Sequence, residues 1–366
     1  MKYSAMAATA LVTFLLYTVP AAAEGDSWED RISFNGDFRL RYEAIDIDEQ
    51  IRRDRMRLRA QFGMNATISD NVDFILQLST GAPDPVSTNQ TLDDGFSTKD
   101  IGVNLAYVNW KIADGMKAMM GKMKNPLFRA GGTQLIWDGD LTMEGLAFTY
   151  EAGKLFTNVG AFSVEERSVQ SDSLLYAAQV GWQQPIGEDS KLTAGAGYFA
   201  YTNTVGHLPF YNGLPRGNTV EQIGTTLPLG TYVYDYKNTE IFAQYATKLA
   251  DWPFLFYGHA TWNNEVSTQD RGYIVGVKMG SAKKEGDMEF GLAYEDLEAD
   301  AVIGTFSDSD FGGGGTDSYG YILKGKYVLR KRINVAGTLF INKVDRYLGT
   351  ELDYSRLQLD LEYKFN

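Results

Sequence analysis

Between Leu357 and Phe365 the chain alternates without a break. Leu357, Leu359, Leu361, Tyr363 and Phe365 take the odd positions, and Gln358, Asp360, Glu362 and Lys364 take the even ones. Successive side chains of an extended strand point to opposite faces, so this stretch reads as a strand with one greasy and one charged face. A soluble sandwich could own one such strand; its recurrence is what narrows the choice. Phe34, Phe38, Leu40 and Tyr42 alternate with Asn35, Asp37, Arg39 and Arg41. Met56, Leu58, Ala60, Phe62 and Met64 alternate with Arg55, Arg57, Arg59, Gln61 and Asn65. Apolar faces return near 72–78, 174–182, 273–279, 288–294, 319–323 and 333–341. Noisier strands are predicted near 101–112, 116–124, 142–151, 154–165, 190–202, 236–248 and 253–264, which brings the total to about sixteen.

The connections alternate too. Short ones, such as Ser69-Asp70-Asn71, Ala113-Asp114-Gly115, Lys284-Glu285-Gly286 and Arg330-Lys331, carry turn chemistry or a charged bend. Between them fall longer segments near 45–53, 81–100, 125–141, 166–172, 203–235, 265–269, 299–315 and 344–351. The polar face is built from Arg, Asn, Gln, Glu, Lys, Gly and Thr, which cannot form a dry core. The greasy face must therefore look outward, and the fold is inside-out. The expectation is an all-β, transmembrane antiparallel β-barrel of about sixteen strands, whose closure pairs every strand edge. An even strand number puts both termini on the rim of the short turns. That rim is expected to be periplasmic, with the long loops extracellular.

Composition agrees without deciding. The chain is 44% hydrophobic with a mean hydropathy of -0.26, as suits a soluble protein or a barrel whose two faces cancel. Near the start, Lys2, an apolar core from Ala5 to Pro20 and Ala21-Ala22-Ala23 read as a secretory signal with an A-x-A cleavage site. A membrane-spanning helix is the alternative; Pro20 and the small residues after it fit a removed peptide better. Residues 1–23 are thus expected to be a cleaved signal peptide and 24–366 a single exported barrel in the bacterial outer membrane. After Ala23 no apolar run approaches the roughly 18–20 residues a spanning helix needs. The chain has no cysteine and 2 histidines, which excludes thiolate and multi-histidine metal sites. No cofactor or metal is expected, and a net charge of -13 argues against nucleic acid as a partner.

Several stretches resemble the bacterial outer-membrane porins, most closely the group called "putative porins". They are RMRLRAQFG (55–63), PVSTNQTLDDGF (85–96), LAYVNW (105–110) and GKMKNPLFRAGGTQLIWDGDLTMEG (121–145). The resemblance implies a sixteen-stranded channel for passive diffusion of small hydrophilic solutes or ions, set among outer-membrane lipids and lipopolysaccharide. It leaves room for a homotrimer, as many such porins form. The final aromatic of that class is usually the last residue; here Phe365 is followed by Asn366. The resemblance also implies that the third long loop, Asn125 to Leu141, folds into the pore. Pro126, Gly131 and Gly132 would allow the bends, Leu127, Phe128, Leu135, Ile136 and Trp137 would pack inside, and Asp138 and Asp140 would stand at the constriction. A loop lying over the mouth is the alternative.

Arg39, Arg41, Arg55, Arg57 and Arg59 form an inward basic ladder on the first two strands, extended by Arg52 and Arg53 at the loop end. Lys324 and Lys326 on the fourteenth strand add to it. Stacked like charges need water, counter-ions or facing carboxylates. They either set a transverse field that selects solutes or form structural ion pairs and contacts to lipopolysaccharide. Ladder and net charge point opposite ways on ion preference. No nucleophile, base and orienting group converge around His207 or His259, so no enzyme is expected. His259 reads as a solvated luminal residue. Asp308, Asp310 and Asp317 have the wrong spacing for a calcium loop and read as a flexible acidic loop. The rival to a channel is a plugged structural, receptor or adhesin-type barrel that binds partners through loops 203–235 and 299–315.

Overall fold

The computed structural model describes residues 27–223, 230–347 and 349–365. The expected signal peptide, 1–23, lies outside the described residues. The strands are β1 (Ile32–Ile47), β2 (Arg53–Ser69), β3 (Val72–Thr80), β4 (Gln90–Thr91), β5 (Ile101–Ala113), β6 (Met116–Lys124) and β7 (Thr142–Ala152). They continue as β8 (Leu155–Glu165), β9 (Ser173–Ile186), β10 (Ser190–Tyr201), β11 (Val220–Gln222), β12 (Gly230–Tyr232) and β13 (Lys237–Leu249). The remainder are β14 (Trp252–Asn263), β15 (Arg271–Gly280), β16 (Met288–Leu297), β17 (Ser318–Arg330), β18 (Ile333–Val344) and β19 (Leu352–Phe365).

All but three of these make one wall. Each wall strand pairs antiparallel with its neighbours along the chain, and the last pairs with the first, Gly36 opposite Phe365 and Ile47 opposite Tyr354. With β4 set aside from the seventeen-stranded sheet, sixteen strands close the barrel. The two-residue β4 lies along the inner part of β2, and β11 and β12 form a hairpin within the long segment before β13. Closure removes both free edges, which hydrocarbon requires of a spanning sheet. The strand count, the antiparallel order and the alternation of short turns with long loops follow the sequence-based expectation.

The two faces fall as the alternation demands. Phe38, Phe62, Val180, Tyr198, Val275, Leu292, Ile341, Leu359 and Leu361 are exposed outward, while Arg39, Arg41, Glu43, Gln179, Glu240, Glu295 and Gln358 are buried within. Aromatic rings gather toward both rims on the outer face. Phe34 stacks on Phe62 at 5.5 Å near the short-turn rim, and Tyr294 lies 6.2 Å from Tyr273 and 5.1 Å from Tyr321 near the long-loop rim. Such girdles sit where headgroups meet hydrocarbon.

The apolar core is therefore not between sheets but inside the barrel, made by loops turned inward. Leu127, Leu135, Ile136 and Trp137 from segment 125–141 pack with Phe199 and Tyr201 of β10. Phe210, Tyr232 and Tyr236 join from the segment before β13, and Ala301, Val302, Ile303 and Phe311 from the segment between β16 and β17. The Trp137 and Phe199 rings meet edge-on at 5.2 Å. The reading of 308–317 as a flexible acidic loop is corrected here. Phe311 packs on Phe340, Asp308 is buried, and Gly312 donates to the Asn342 side chain, so its glycines serve tight turns against the wall.

Candidate functional site

The site grows from the meeting of β1, β2 and β19 with the two inward segments, 125–141 and 298–317. Parity places every second residue of these strands inside, and closure sets Arg39, Arg41 and Glu43 beside Glu362, Asp360 and Gln358. Arg41 Nε donates to Asp360 at 2.7 Å, and its Nη1 lies 3.4 Å from Asp310. Arg356 reaches Asp310 at 2.6 Å and also pairs with Glu43, which in turn holds Arg55 and accepts from Gln358 at 3.0 Å. Arg59 pairs with Asp37 at 2.7 Å and approaches Asp140 at 3.5 Å. Lys326 pairs with Glu362 at 3.0 Å. Much of the ladder thus consists of interlocked ion pairs.

Three members differ. Arg39 donates to the Asn89 side chain at 2.6 Å, and Arg57 to the Asn89 carbonyl at 3.1 Å and the Ser87 hydroxyl at 3.3 Å. Each keeps a buried Nε without a partner, and among the described residues neither has a carboxylate within ion-pair distance. Lys324 is likewise free of an ion pair.

Segment 125–141 is fastened across the barrel. Phe128 N donates to Gln179 and Gly131 N to Gln244, each at 2.8 Å, and Thr133 Oγ1 lies 3.1 Å from His259 Nδ1. A Cβ at Gly131, where φ is +61°, would meet the Tyr257 ring at 2.4 Å, so only glycine lets the loop cross that ring. His259 is not the solvated residue expected from the sequence. It is buried, with Nε2 2.7 Å from Glu240, and so ties wall to loop. Asp138 accepts from the backbone of Asp140 at 2.7 Å and of Ser309 at 2.8 Å, joining the two inward segments. Burial, then the nearby carboxylates of Asp308 and Asp140, push the Asp138 carboxyl well above its ordinary value. At Asp310 burial also pushes upward, but Arg356 and Arg41 overcome it and hold that carboxyl below the usual range.

Three cavities lined in part by charged side chains follow this seam. A cavity of about 490 Å³ is lined by Arg53, Arg55, Arg57, Arg216, Asp310 and Arg356, among others. A smaller one of about 160 Å³ brings Arg39, Arg41, Lys324, Asp138, Asp140 and Asp310 together. A third, also about 160 Å³, is lined by Lys278, Lys324, Lys326, Glu289, Glu295 and Asp308. The first two share Ser309 and Asp310, and the last two share Gln134, Lys324 and Thr338. Of the residues expected from the sequence to line and select at the pore (Arg39, Arg41, Arg55, Arg57, Arg59, Asp138, Asp140, Lys324 and Lys326), all but Arg59 line one of the three, and Arg59 still reaches Asp140. Sequence reasoning missed Glu43, Arg216, Lys278, Glu295 and Arg356, and it placed Asp310 in a flexible acidic loop rather than at the site. Arg356 extends the alternation of β19 by one step and was within reach.

A family model described as "Putative porin" matches residues 45–228 and 230–365. Among curated proteins no sequence matches the chain. Solved structures do match. Pseudomonas putida OprB, in a high-pH structure, is 13% identical with a TM-score of 0.61, over 92% of this chain and 95% of that one. Vibrio cholerae OmpT, in its trimer form, is 14% identical with a TM-score of 0.52, over 91% and 99%. A mutant of Rh. blastica porin is 12% identical with a TM-score of 0.53, over 91% and 100%. At these identities the likeness is one of fold.

Proposed function

Because the chain belongs to the "Putative porin" family of outer-membrane barrels, we propose that it lets small hydrophilic solutes or ions diffuse passively through a wet path inside its wall. One observation carries this reading: the three cavities share lining residues in sequence, so a seam studded with charged side chains runs beside the inward loops. In the middle cavity, Arg39, Arg41 and Lys324 on the strands face Asp138, Asp140 and Asp310 on the loops. Opposed charges of this kind set up a transverse field. A polar solute turns its dipole into that field and is compensated for lost water, whereas an apolar solute gains nothing. Passage then needs a gradient, and no bond is made or broken.

The short turns and both chain ends face the periplasm in this reading, and the long loops face outward, as in other outer-membrane barrels. The outer wall meets lipid and lipopolysaccharide. The trimer form of the OmpT structure supports a homotrimer.

A second reading has a specific observation in its favour. Three inward segments build an apolar core within the lumen, as in a plugged barrel that binds partners with its loops. Planar-bilayer recording separates the two. Discrete ohmic steps, with swelling of liposomes in small sugars, are expected for a channel. A silent bilayer and unswollen liposomes would establish the plug and overturn the channel.

A further inference from the structure

The third cavity holds a charge arrangement that the ion-pair network does not consume. Glu295 of β16 is 1% exposed and lines this cavity, and among the described residues neither carboxylate oxygen has a hydrogen-bond partner. A buried carboxylate left so is costly until a donor arrives. Asp308, beside it on the inward segment, is already satisfied: it accepts from Gln134 at 3.1 Å and from the backbone of Asp310 at 2.9 Å.

The opposite charge stands nearby on the same wall. Lys278 of β15 and Lys324 of β17 flank Gly291 of β16 in register, one on each side. A Cβ at Gly291 would lie 3.6 Å from Lys324 Cβ and 3.9 Å from Lys278 Cγ, so the glycine keeps the space between the two stems open. Among the described residues neither ammonium has an ion-pair partner, whereas Lys326 below them is held by Glu362. Thr338 adds a hydroxyl and Glu289 a further carboxylate to the lining. One small chamber of about 160 Å³ therefore offers unspent charge of both signs.

From this we infer that the chamber is a binding subsite for a small zwitterion carrying an ammonium and a carboxylate, such as a free α-amino acid. The solute's ammonium supplies the N–H donors that Glu295 lacks, and its carboxylate lies between Lys278 and Lys324. A simple anion would leave Glu295 unmet, and a simple cation would face two lysines. The inference rests on the channel reading for its relevance to transport, since the solute must reach the chamber along the seam.

Binding needs no open pore, so it can be tested apart from conduction. Isothermal titration of the detergent-solubilised mature chain would compare L-alanine with N-acetyl-L-alanine, which keeps only the negative charge, and L-alaninamide, which keeps only the positive one. L-Alanine is expected to bind about tenfold tighter than either, the worth of one charge-assisted hydrogen bond. In Glu295→Gln its affinity should fall to that of N-acetyl-L-alanine. In a Lys278→Met, Lys324→Met double variant it should fall to that of L-alaninamide. Equal binding of L-alanine and either analogue overturns the zwitterion subsite, as does no binding at all. The wild-type comparison stands even if a variant fails to fold. Bilayer recording on the same preparation keeps the outcomes distinct: conduction without L-alanine binding sinks this inference alone, and binding without conduction sinks the channel reading.

Discussion

Two sets of arginines share one ladder and differ in what surrounds them. Arg41, Arg55, Arg59 and Arg356 are locked to Asp360, Glu43, Asp37 and Asp310, whereas among the described residues Arg39 and Arg57 donate only to amide, carbonyl and hydroxyl oxygens. The first set clamps β1, β2 and β19 to the inward segment. The second keeps net charge to present to a solute. Residue type and inward parity are the same in both, so the partner alone separates scaffold from filter. The strongest way to break the contrast is at Glu43, which serves Arg55 and Arg356 together. Glu43→Gln leaves both guanidinium groups short of charge, and removal of one partner of a buried pair costs roughly 3–5 kcal/mol. Luminal water and the surviving Asp310 contact place the expected loss at the lower end. Urea unfolding in detergent would read it, and an unchanged midpoint would mean the clamp carries no stability.

The loop side of the seam can be loosened separately. Trp137 is buried against Phe199, and truncating a buried aromatic to alanine costs about 3 kcal/mol or more. The cost in Trp137→Ala should fall on segment 125–141 rather than on the wall, because strand pairing is untouched. Single-channel conductance is expected to rise while heat resistance of the barrel changes little. A conductance equal to wild type would show that the segment does not narrow the path.

How far this was legible from sequence depends on the distance over which each contact acts. Alternation is local, so β2 and β19, their inward arginines and the loop order could all be read directly. Who faces whom is not local: Arg356 and Glu43 are 313 positions apart, and Arg41 and Asp310 are 269 apart. Only barrel closure and the inward fold of 298–317 bring them together. The Gly-rich run after Asp310 shows another limit. Composition reveals backbone freedom but not whether contacts such as Phe311 on Phe340 have used it. His259 shows the limit in part: Glu240 is 19 positions away on the neighbouring strand, but Thr133, which ties it to the inward loop, is 126 positions away.

The clamp also has a sign in pH. Asp310 sits below its ordinary carboxylate value of 3.8, so as the pH falls through that value it binds fewer protons folded than unfolded. Its contribution is whole above pH 3.8 and is lost as the pH falls below it. Asp138, raised by burial and by Asp308 and Asp140, runs the other way: its cost grows as the pH rises above 3.8. Acid should therefore release Arg41 and Arg356 while easing the Asp138 contact. Asp310→Asn should show the acid phenotype already at neutral pH, as a shift in conductance that further acidification does not repeat. If the variant and wild type keep parallel pH profiles, Asp310 is not the titrating group.

The finest test is at the unpaired arginines. Arg57→Gln shortens the side chain and gives up the two hydrogen bonds of Nη2, but it keeps the position polar and, among the described residues, breaks no ion pair. Stability should fall by no more than about 2 kcal/mol, the worth of the two hydrogen bonds lost. The reversal potential in a salt gradient should move toward cations, because the mouth of the seam loses one uncompensated positive charge. Arg55→Gln is the control in the same cavity: it leaves Glu43 short of one partner and should cost stability before it alters selectivity. If the two variants shift the reversal potential equally, the division of the ladder into clamp and filter does not hold.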